Sequence, residues 1–468
     1  MHDSGGSDSP VKIFANIFIT FVGAGVLGLP YAFKESGILE GVVIMIIVSA
    51  VSIKAMLLLI DCKYRLNQQP EVRKNYKIVE VETEEGYNKG ETYEKLDLME
   101  SHKNESNGFR HDVKNLPVES KAVQKELDYG DLGYYALGNS GRTLVDSVIV
   151  ISQTGFCCAY LIFITENLGS YFNNFATYQW LLFMLPPLAF LAMLRHLHHL
   201  AIFSLFADFA NVFAYCVVFW FDFDHIHVLK QVHPKEVSLA GFPFFLGIAI
   251  YCFEGAGMVL SLEASVLPSV RSTFRKTFVF ALTLVTTLYI VFGVCGYLSF
   301  GPETANIITL NLPAGFFPLL VKSCLCFSLF FTYPMMMFPV SRIVENIVVH
   351  DPLRNLNKGN MIRCMMVLVT GVIVIAIPNF TTLMALVGAS CCTLLAFILP
   401  AIFHMKICQE TLTSKQLAFD WFLIILGVIG SLIGTHDALH RMFAPDVDAD
   451  DTGSVIARVF SASNVTVH

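Results

Sequence analysis

The sequence predicts an all-α polytopic membrane protein with about eleven transmembrane helices. Hydrophobic residues make up 54% of the chain and charged residues only 15%, whereas about 25% charged is usual in soluble domains. The mean hydropathy is +0.60, and most apolar segments lack the polar face of a helix on a soluble surface. These observations exclude an ordinary soluble domain. No basic stripe suggests a nucleic-acid partner.

The spans are marked by apolar runs of roughly 20 residues. We expect helices near 12–33, 38–60, 143–168, 179–194, 199–221, 241–262, 277–300, 314–340, 361–378, 380–404 and 417–439. The chain therefore divides into a cytosolic leader (1–11), spans one and two (12–60), an insert (61–128), spans three to five (129–221), an outer loop (222–240), spans six to ten (241–404), a cytosolic loop with span eleven (405–439) and an acidic outer tail (440–468).

The insert at 61–128 changes character completely. It is of mixed charge and poor in residues that form a core, which predicts a disordered cytosolic segment. A tolerated loop insertion and a regulatory segment are both compatible with this composition.

The placement of Lys and Arg sets the orientation, because short cytosolic loops carry an excess of both. The pattern predicts a cytosolic N-terminus, and an odd number of spans then places the C-terminal tail on the outer or lumenal side. Asn464 begins a glycosylation sequon in that tail. Most of the 12 cysteines lie within apolar spans, which favours buried thiols over a disulfide framework.

A glycine cluster interrupts the first span at residues 22–30, VGAGVLGLP, and the sixth span has a counterpart at 253–257, FEGAG. Gly costs about 1 kcal/mol in a helix interior and Pro about 3 kcal/mol. A broken helix is tolerated within a membrane only where it faces protein or a watery cavity. Paired interruptions in matching spans of two halves indicate a transporter's substrate site. The competing explanation is that these glycines only allow close helix packing.

Residues in and around the two interruptions are the candidates for the site. Free N–H groups at a half-helix N-terminus can hold a carboxylate, and free carbonyls can hold an ammonium or a cation. We predict that the substrate is bound by Val22, Gly23, Ala24, Gly25, Gln153, Thr154, Tyr251, Phe253, Gly255, Thr332 and Tyr333. Threonine hydroxyls also commonly bond their own helix backbone, so a structural role competes for those positions.

Two acids inside predicted spans are candidates for proton coupling, Glu254 and Asp208. Ionisable residues within a membrane are functional candidates by default. Burial disfavours the charged form of a carboxyl, so either residue is suited to carrying a proton. A carboxyl hydrogen-bonded to broken-helix backbone that never titrates is the alternative. Glu166 lies near the end of the third span and is expected at the membrane interface.

Other motifs lead to no cofactor or metal site. Gly23, Gly25 and Gly28 match the dinucleotide-binding spacing, but that motif must follow a β-strand, and here it lies inside an apolar helix. No protease, P-loop or nucleophile-elbow pattern is present in the sequence. The chain is therefore not expected to be an enzyme, and no cofactor is expected beyond a proton gradient, with sodium left open.

Three stretches resemble the amino acid/auxin permease family of the APC superfamily: 14–34, 129–133 with 152–156, and 251–260. The likeness is greatest to vacuolar neutral amino acid transporters, followed by proton-coupled amino acid transporters. The resemblance implies a five-plus-five inverted repeat with broken helices 1 and 6, an APC/LeuT-like fold, and transport of neutral amino acids that is often proton-coupled. This chain departs from the family in its long insert and in having Asn16 where proton-coupled animal members have a histidine.

Taken with the resemblance, the sequence favours a secondary transporter of small neutral amino acids that functions as a monomer in membrane lipid. A vacuolar or lysosomal membrane is favoured, with the plasma membrane as the alternative. The competing function is an amino acid sensor of the same fold that signals through the cytosolic insert.

Overall fold

The computed structural model describes residues 9–69, 77–79, 122–124, 126–172, 175–194, 201–226, 234–267, 269–313, 315–349 and 355–443. Its helices are α1 (Pro10–Phe21), α2 (Leu29–Ser36), α3 (Ile38–Gln68), α4 (Tyr129–Leu137), α5 (Asn139–Tyr171), α6 (Thr177–Ala192), α7 (Ala201–Ile226), α8 (Phe242–Cys252), α9 (Ala256–Ala264), α10 (Arg271–Phe300), α11 (Phe316–Val348), α12 (Leu356–Ala376), α13 (Phe380–Val387), α14 (Leu399–Ile407) and α15 (Ser414–Phe443).

The prediction of a nearly all-helical membrane protein is confirmed. Among the described residues, eight helices are long and apolar enough to cross a membrane, and the bent pair α1–α2 makes a ninth. The other two predicted spans correspond to α6 and α7, whose described apolar lengths are shorter. The total of eleven spans therefore stays a prediction.

The structure corrects the boundaries of the predicted insert. Helix α3 continues to Gln68, so the first eight residues of the segment predicted at 61–128 are helical. Two short strands, β1 (Lys77–Val79) and β2 (Ala122–Gln124), pair antiparallel. The remainder of the predicted insert up to residue 125 lies outside the described residues. Helix α4 precedes α5 as a separate element because Gly138, at φ 70°, ends it.

Two helices also extend into segments that were predicted to be an outer loop and an outer tail. Helix α7 continues to Ile226, into the loop predicted at 222–240, and α15 continues to Phe443, into the tail predicted at 440–468. Apolar composition marks only the part of a helix that lies in lipid, so polar end turns escape a sequence-based boundary.

The first span is broken between α1 and α2 by 47°. Val22 and Gly23 leave the helical conformation, Gly23 at φ −108° and ψ −175°, and a 3-10 segment then covers Ala24–Gly28. Pro30 stands in the first turn of α2, where its missing N–H costs nothing. The break therefore follows from the residues that the sequence clusters there.

The helices pack in two groups. Spans one, two, six and seven (α1–α2, α3, α8–α9 and α10) pack on one another, and so do α5, α6, α11 and α12. Helix α7 joins both groups through α10 and α11. The first group carries both broken spans.

One buried ion pair fastens the second group. Arg363 of α12 pairs with Glu345 of α11 through Nε at 2.7 Å and Nη2 at 3.3 Å. Its Nη1 donates to the carbonyls of Ala192 at 3.0 Å and Leu194 at 3.4 Å, just where α6 ends. A single guanidinium thus holds the ends of three helices.

Candidate functional site

The sixth span is interrupted as the sequence predicts, between α8 and α9. Residues Phe253–Gly255 are not helical there, and Gly255, at φ −163° and ψ 3°, precedes α9. This leaves the C-terminal carbonyls of α8 and the N-terminal N–H groups of α9 without helical partners.

The two interruptions lie against each other. A Cβ placed on Gly25 would lie 3.0 Å from Sγ of Cys252 and 3.3 Å from the ring of Tyr251, and a Cβ on Gly255 would lie 2.3 Å from the ring of Phe21. Both glycines therefore serve a close approach of the two broken spans. Helix breaks about 230 residues apart in the sequence therefore meet in the structure.

Open space adjoins this contact. A Cβ placed on Gly23 or on Gly257 would meet no other atom within 4 Å. The N–H groups of Ala24 and Gly25 are the first of the 3-10 segment, so no preceding carbonyl of that segment can accept from them. The region thus combines polar backbone with open space beside Gly23 and Gly257.

Two tyrosines that sequence reasoning missed reach the first break. Tyr215 of α7 donates its hydroxyl to the Gly23 carbonyl at 3.1 Å, and Tyr289 of α10 donates to the Phe21 carbonyl. Both are buried. These carbonyls are therefore occupied by side-chain donors. A tyrosine inside an apolar span, seven residues after Asp208 in the case of Tyr215, is the only signal that the sequence offers.

Aromatic rings line the contact between the spans. The ring of Phe253 lies 5.5 Å from that of Tyr289, and Tyr251 lies 4.5 Å from Phe156 of α5. Phe253 and Tyr251 are buried. The structure therefore places both predicted aromatic residues at the break, together with Phe156, which was not predicted.

Glu254 occupies the sixth-span break itself. Its carboxyl lies near the backbone N–H groups of Gly255, Ala256 and Gly257 at the start of α9. Its Oε2 atom is buried and has no hydrogen-bond partner among the described residues. Glu254 therefore lies at the N-terminus of α9, where a negative charge is stabilised. One of its carboxyl oxygens nevertheless has no hydrogen-bond partner among the described residues.

The polar residues predicted on α5 are buried. Gln153 and Thr154 are each 7% exposed, and Oε1 of Gln153 and Oγ1 of Thr154 lack a hydrogen-bond partner among the described residues. Buried polar atoms without partners are uncommon in native structures. These two atoms are consistent with a place in the substrate site.

The predicted residues on α11 are engaged elsewhere. Thr332 donates its hydroxyl to the Ser328 carbonyl one turn earlier at 2.8 Å. The Tyr333 hydroxyl is hydrogen-bonded to Thr370 of α12 at 2.7 Å, and Tyr333 is fully buried. Both hydroxyls therefore have partners within α11 or on α12, and their part in the substrate site stays a prediction.

Two predicted residues are outside what the structure describes. Asp208 belongs to α7, but its side chain is not among those described, and Asn464 lies in the undescribed tail.

A charged cluster joins the helices on the predicted cytosolic side. Glu263 of α9 is fully buried and pairs with Lys63 of α3 at 2.7 Å and with Arg271 of α10 at 3.1 Å. Glu126, just before α4, pairs with the same two cations at 2.6 and 3.2 Å. Tyr64 also donates to Glu263 at 2.8 Å. The cytosolic end of the sixth span is therefore tied to spans two and seven and to the segment that leads into α4.

A metal centre finds no support in the described part of the chain. Among those residues, no group of three or more His, Cys, Asp or Glu side chains is arranged to hold a metal ion.

Comparison with known proteins shows similarity to amino acid transporters over most of the chain. Residues 6–83 and 113–439 match the model of a family described as transmembrane amino acid transporter protein. The amino acid transporter AVT3C of Arabidopsis thaliana is 34% identical over 94% of this chain and 92% of its own length. The Arabidopsis amino acid transporters AVT3B and ANT1 are 33% and 31% identical, covering 93% of this chain and 94% and 93% of their own lengths.

Among solved structures, a Na+-coupled sialic acid symporter in a substrate-bound outward-open state aligns with 92% of this chain and 98% of its own. The identity is 10% and the TM-score is 0.42.

Proposed function

Since the chain belongs to the transmembrane amino acid transporter family, we propose that it is a proton-coupled secondary transporter of small neutral amino acids. Its family consists of transporters, not enzymes. The substrate binds where the two broken spans meet, and access alternates between the two sides of the membrane. The observation that carries this proposal is the contact of Gly25 with Tyr251 and Cys252, which joins two helix interruptions far apart in sequence.

The backbone supports recognition of an amino acid. The N–H groups of Ala24 and Gly25 suit the substrate carboxylate, because the N-terminus of a helix favours negative charge. Carbonyls at the end of α8 suit the ammonium group. Phe156, Tyr251 and Phe253 leave an apolar wall for the substrate side chain, which favours neutral side chains over charged ones.

Proton coupling is supported by Glu254. Its buried, unpaired carboxyl oxygen stands beside the site. Two carbonyls at the first break, on Phe21 and Gly23, accept hydrogen bonds from tyrosines. Both facts favour a proton over sodium as the coupled ion. Asp208 remains the second proposed carrier.

The helix packing supports alternating access. The group that contains both broken spans contacts a second group that Arg363 fastens together. We propose that the first group rocks against the second, which is how repeat-built carriers expose a midplane site. The membrane is proposed to be vacuolar or lysosomal, with the cytosolic cluster around Glu263 on its cytosolic face.

The test is uptake of radiolabelled neutral amino acids into proteoliposomes, with and without an acidic outer solution. Saturable uptake that the gradient drives is expected for the wild type. Gly25→Val should abolish it, because the new side chain would enter the space of Cys252 and Tyr251. The control is Gly430→Ala, whose Cβ would meet only the flexible end of Leu246 at 3.3 Å.

No saturable flux from folded wild-type protein would contradict the transporter proposal. Binding of amino acids without flux would favour the sensor function instead.

A further inference from the structure

A cluster of four ionisable side chains lies at the predicted cytosolic end of the protein, away from the broken spans. Cys62 belongs to α3, His404 to the last turn of α14 and Asp420 to α15, and Cys408 directly follows α14. All four are buried, and both cysteines are free thiols. The proposed transport cycle assigns no role to them. We call these four residues the thiol cluster.

The two thiols of the cluster are in contact, because α3 packs against α14. The S–H group of Cys62 donates a hydrogen bond to the sulfur of Cys408. The ion pair of Arg65 with Glu410, at 3.0 Å, also joins the end of α3 to the turn that follows Cys408. Sulfurs that already touch need a small approach to reach the S–S bond length of about 2.05 Å.

His404 lies beside Cys408 and can accept its proton. The two residues are four apart, and the Cys408 N–H donates to the His404 carbonyl at 3.0 Å, so their side chains share one face. The imidazole forms a hydrogen bond with the Cys408 thiol. Its Nδ1 atom is hydrogen-bonded to Oδ2 of Asp420 at 2.7 Å. Asp420 therefore orients the ring and would stabilise the imidazolium that forms when the ring takes the thiol proton.

These neighbours favour the thiolate of Cys408, which is the reactive form of a cysteine. The hydrogen bond from Cys62 lowers the pKa of the Cys408 thiol, burial raises it, and His404 lowers it further, so that the pKa lies below its ordinary value. Cysteine, histidine and aspartate side chains also bind metals. Within the described ranges no three such side chains are arranged to do so, which favours thiol chemistry for this cluster.

We propose that Cys62 and Cys408 are a reversible redox pair, and that their disulfide holds the transporter closed on its cytosolic side. Hydrogen peroxide is the oxidant. The Cys408 thiolate attacks one peroxide oxygen and the O–O bond breaks. The departing hydroxide takes the proton held by His404 and leaves as water, so Cys408 becomes a sulfenic acid.

Cys62 completes the reaction. Its sulfur attacks the sulfur of the sulfenic acid, the S–S bond forms and the S–O bond breaks. The departing hydroxide takes the Cys62 proton and leaves as a second water. Two thiols thus lose two electrons, and one peroxide gains them.

The position of the pair determines the effect of the bond, and this effect rests on the proposed function. Cys62 precedes Lys63, whose pair with Glu263 joins spans two and six. A bond to Cys408 would fasten the group of spans that carries both breaks to the connection between α14 and α15. Alternating access requires that group to move. Disulfides in the cytosol are usually transient or redox-sensing, which suits a switch.

The first test is chemical and does not depend on transport. Purified full-length protein is treated with hydrogen peroxide, and peptides joined by a disulfide are identified by mass spectrometry. The Cys62–Cys408 bond should form, and dithiothreitol should remove it. Cys364→Ser is the matched control, because it removes a half-buried thiol of α12 and leaves the pair intact, so the bond should still form. Absence of the bond in folded wild-type protein would overturn the proposal.

His404→Gln tests the positioning role of the imidazole. The bond should form several-fold more slowly at neutral pH and should regain its rate at higher pH, where hydroxide removes the Cys408 proton. The ionisable groups facing Cys408 are Cys62 and Asp61 of α3 and His404 of α14, with Asp420 behind the imidazole. A rate that stays low at higher pH would overturn the role of His404.

Uptake of radiolabelled L-alanine into proteoliposomes tests the effect of the bond. Peroxide should lower uptake by the wild type several-fold, and dithiothreitol should restore it. Cys62→Ser and Cys408→Ser should transport like the reduced wild type and respond to neither reagent. A disulfide that forms while uptake stays unchanged, or an equal loss of uptake in both serine variants, would overturn the proposed closure. A wild type that forms the bond but transports no amino acid when reduced would contradict the proposed function instead, and the closure with it.

Discussion

The carboxyl of Glu254 combines three features at one residue. It lies in the break of a span, near the N–H groups that begin α9, and one of its oxygens has no partner among the described residues. Those N–H groups alone would stabilise a permanently charged carboxylate. In the proton coupling that we propose, the unsatisfied oxygen is the atom that would carry the proton.

Glu254→Gln should therefore separate exchange from coupling. The amide resembles the protonated acid in shape and hydrogen bonding, so exchange of amino acid across the membrane should continue. Acceleration of uptake by an acidic outer solution should disappear, because the amide does not titrate. The measurement is the ratio of uptake with and without the gradient, beside a counterflow assay. If the variant has the same uptake ratio as the wild type, another acid must carry the proton, and Asp208 would be the next candidate.

At the scale of elements, the broken spans require glycine where they touch. Gly255 lies beneath the ring of Phe21, and an added Cβ would stand 2.3 Å from it. Because Phe21 is buried, the ring cannot move aside freely. The close contact between the two interrupted spans thus depends on the Phe21 ring and on the absence of a side chain at Gly255.

Gly255→Ala should reduce uptake strongly, and Phe21→Leu in the same protein should restore part of it by removing the ring that clashes. The double-mutant cycle measures this coupling, which should be about 0.5–3 kcal/mol for residues in contact. Uptake rates and unfolding temperatures of all four proteins provide the cycle. Strictly additive effects would show that the two spans are not in contact.

The Arg363–Glu345 pair should contribute to the stability of the folded protein. Both side chains are at most 5% exposed, and removing one partner of a buried pair costs about 3–5 kcal/mol. Arg363→Met should lower the unfolding temperature in detergent, and Arg363→Lys should recover little, because lysine cannot reproduce the bidentate geometry. As a surface control, Arg65→Met breaks only an exposed pair with Glu410. Equal unfolding temperatures for Arg363→Met and this control would contradict the assignment.

At the scale of the whole molecule, the cluster around Glu263 ties together the spans that carry both breaks, at their predicted cytosolic end. Lys63 and Glu263 are fully buried, and Glu126 adds a link from the segment before α4. In the alternating-access cycle that we propose, opening toward the cytosol would have to rearrange these pairs.

The charge on Glu126 should persist at every physiological pH. Burial raises the pKa of its carboxyl, but Lys63 and Arg271 outweigh burial and hold that pKa below the ordinary value of 4.5. A lowered pKa contributes stability that is present above the ordinary value and is lost only as the pH falls through the folded value. The Glu126 carboxylate therefore does not respond to pH in the neutral range.

Glu126→Gln should leave the pH response of uptake as in the wild type while loosening the cytosolic side. The change in access can be followed through Cys62, which is buried beside Lys63: its modification by a maleimide from the cytosolic side should be several-fold faster, as the closed state is less favoured. Loss of the pH response in this variant, with Glu254 intact, would contradict the division of roles between the two acids.

Much of the fold could be predicted because membrane spans are local properties of composition. Helices α5, α8 and α10 lie where apolar runs predict them, since a helix in lipid must satisfy its own backbone. The breaks at Gly23 and Gly255 were also predicted, because Gly and Pro act on the helix that contains them. Helix ends were less accurate, as the polar continuation of α3 to Gln68 shows.

What the tertiary structure alone decided is which of these elements meet. Tyr215 and Tyr289 reach the first break only because α7 and α10 lie beside it, and the Tyr333 hydroxyl finds its partner in Thr370 only because α11 and α12 are neighbours. Lys322 reaches the hydroxyl of Ser170 only through the packing of α11 on α5. Local sequence determines where a helix forms and where it fails, whereas contacts between distant side chains depend on how all the helices fill space together.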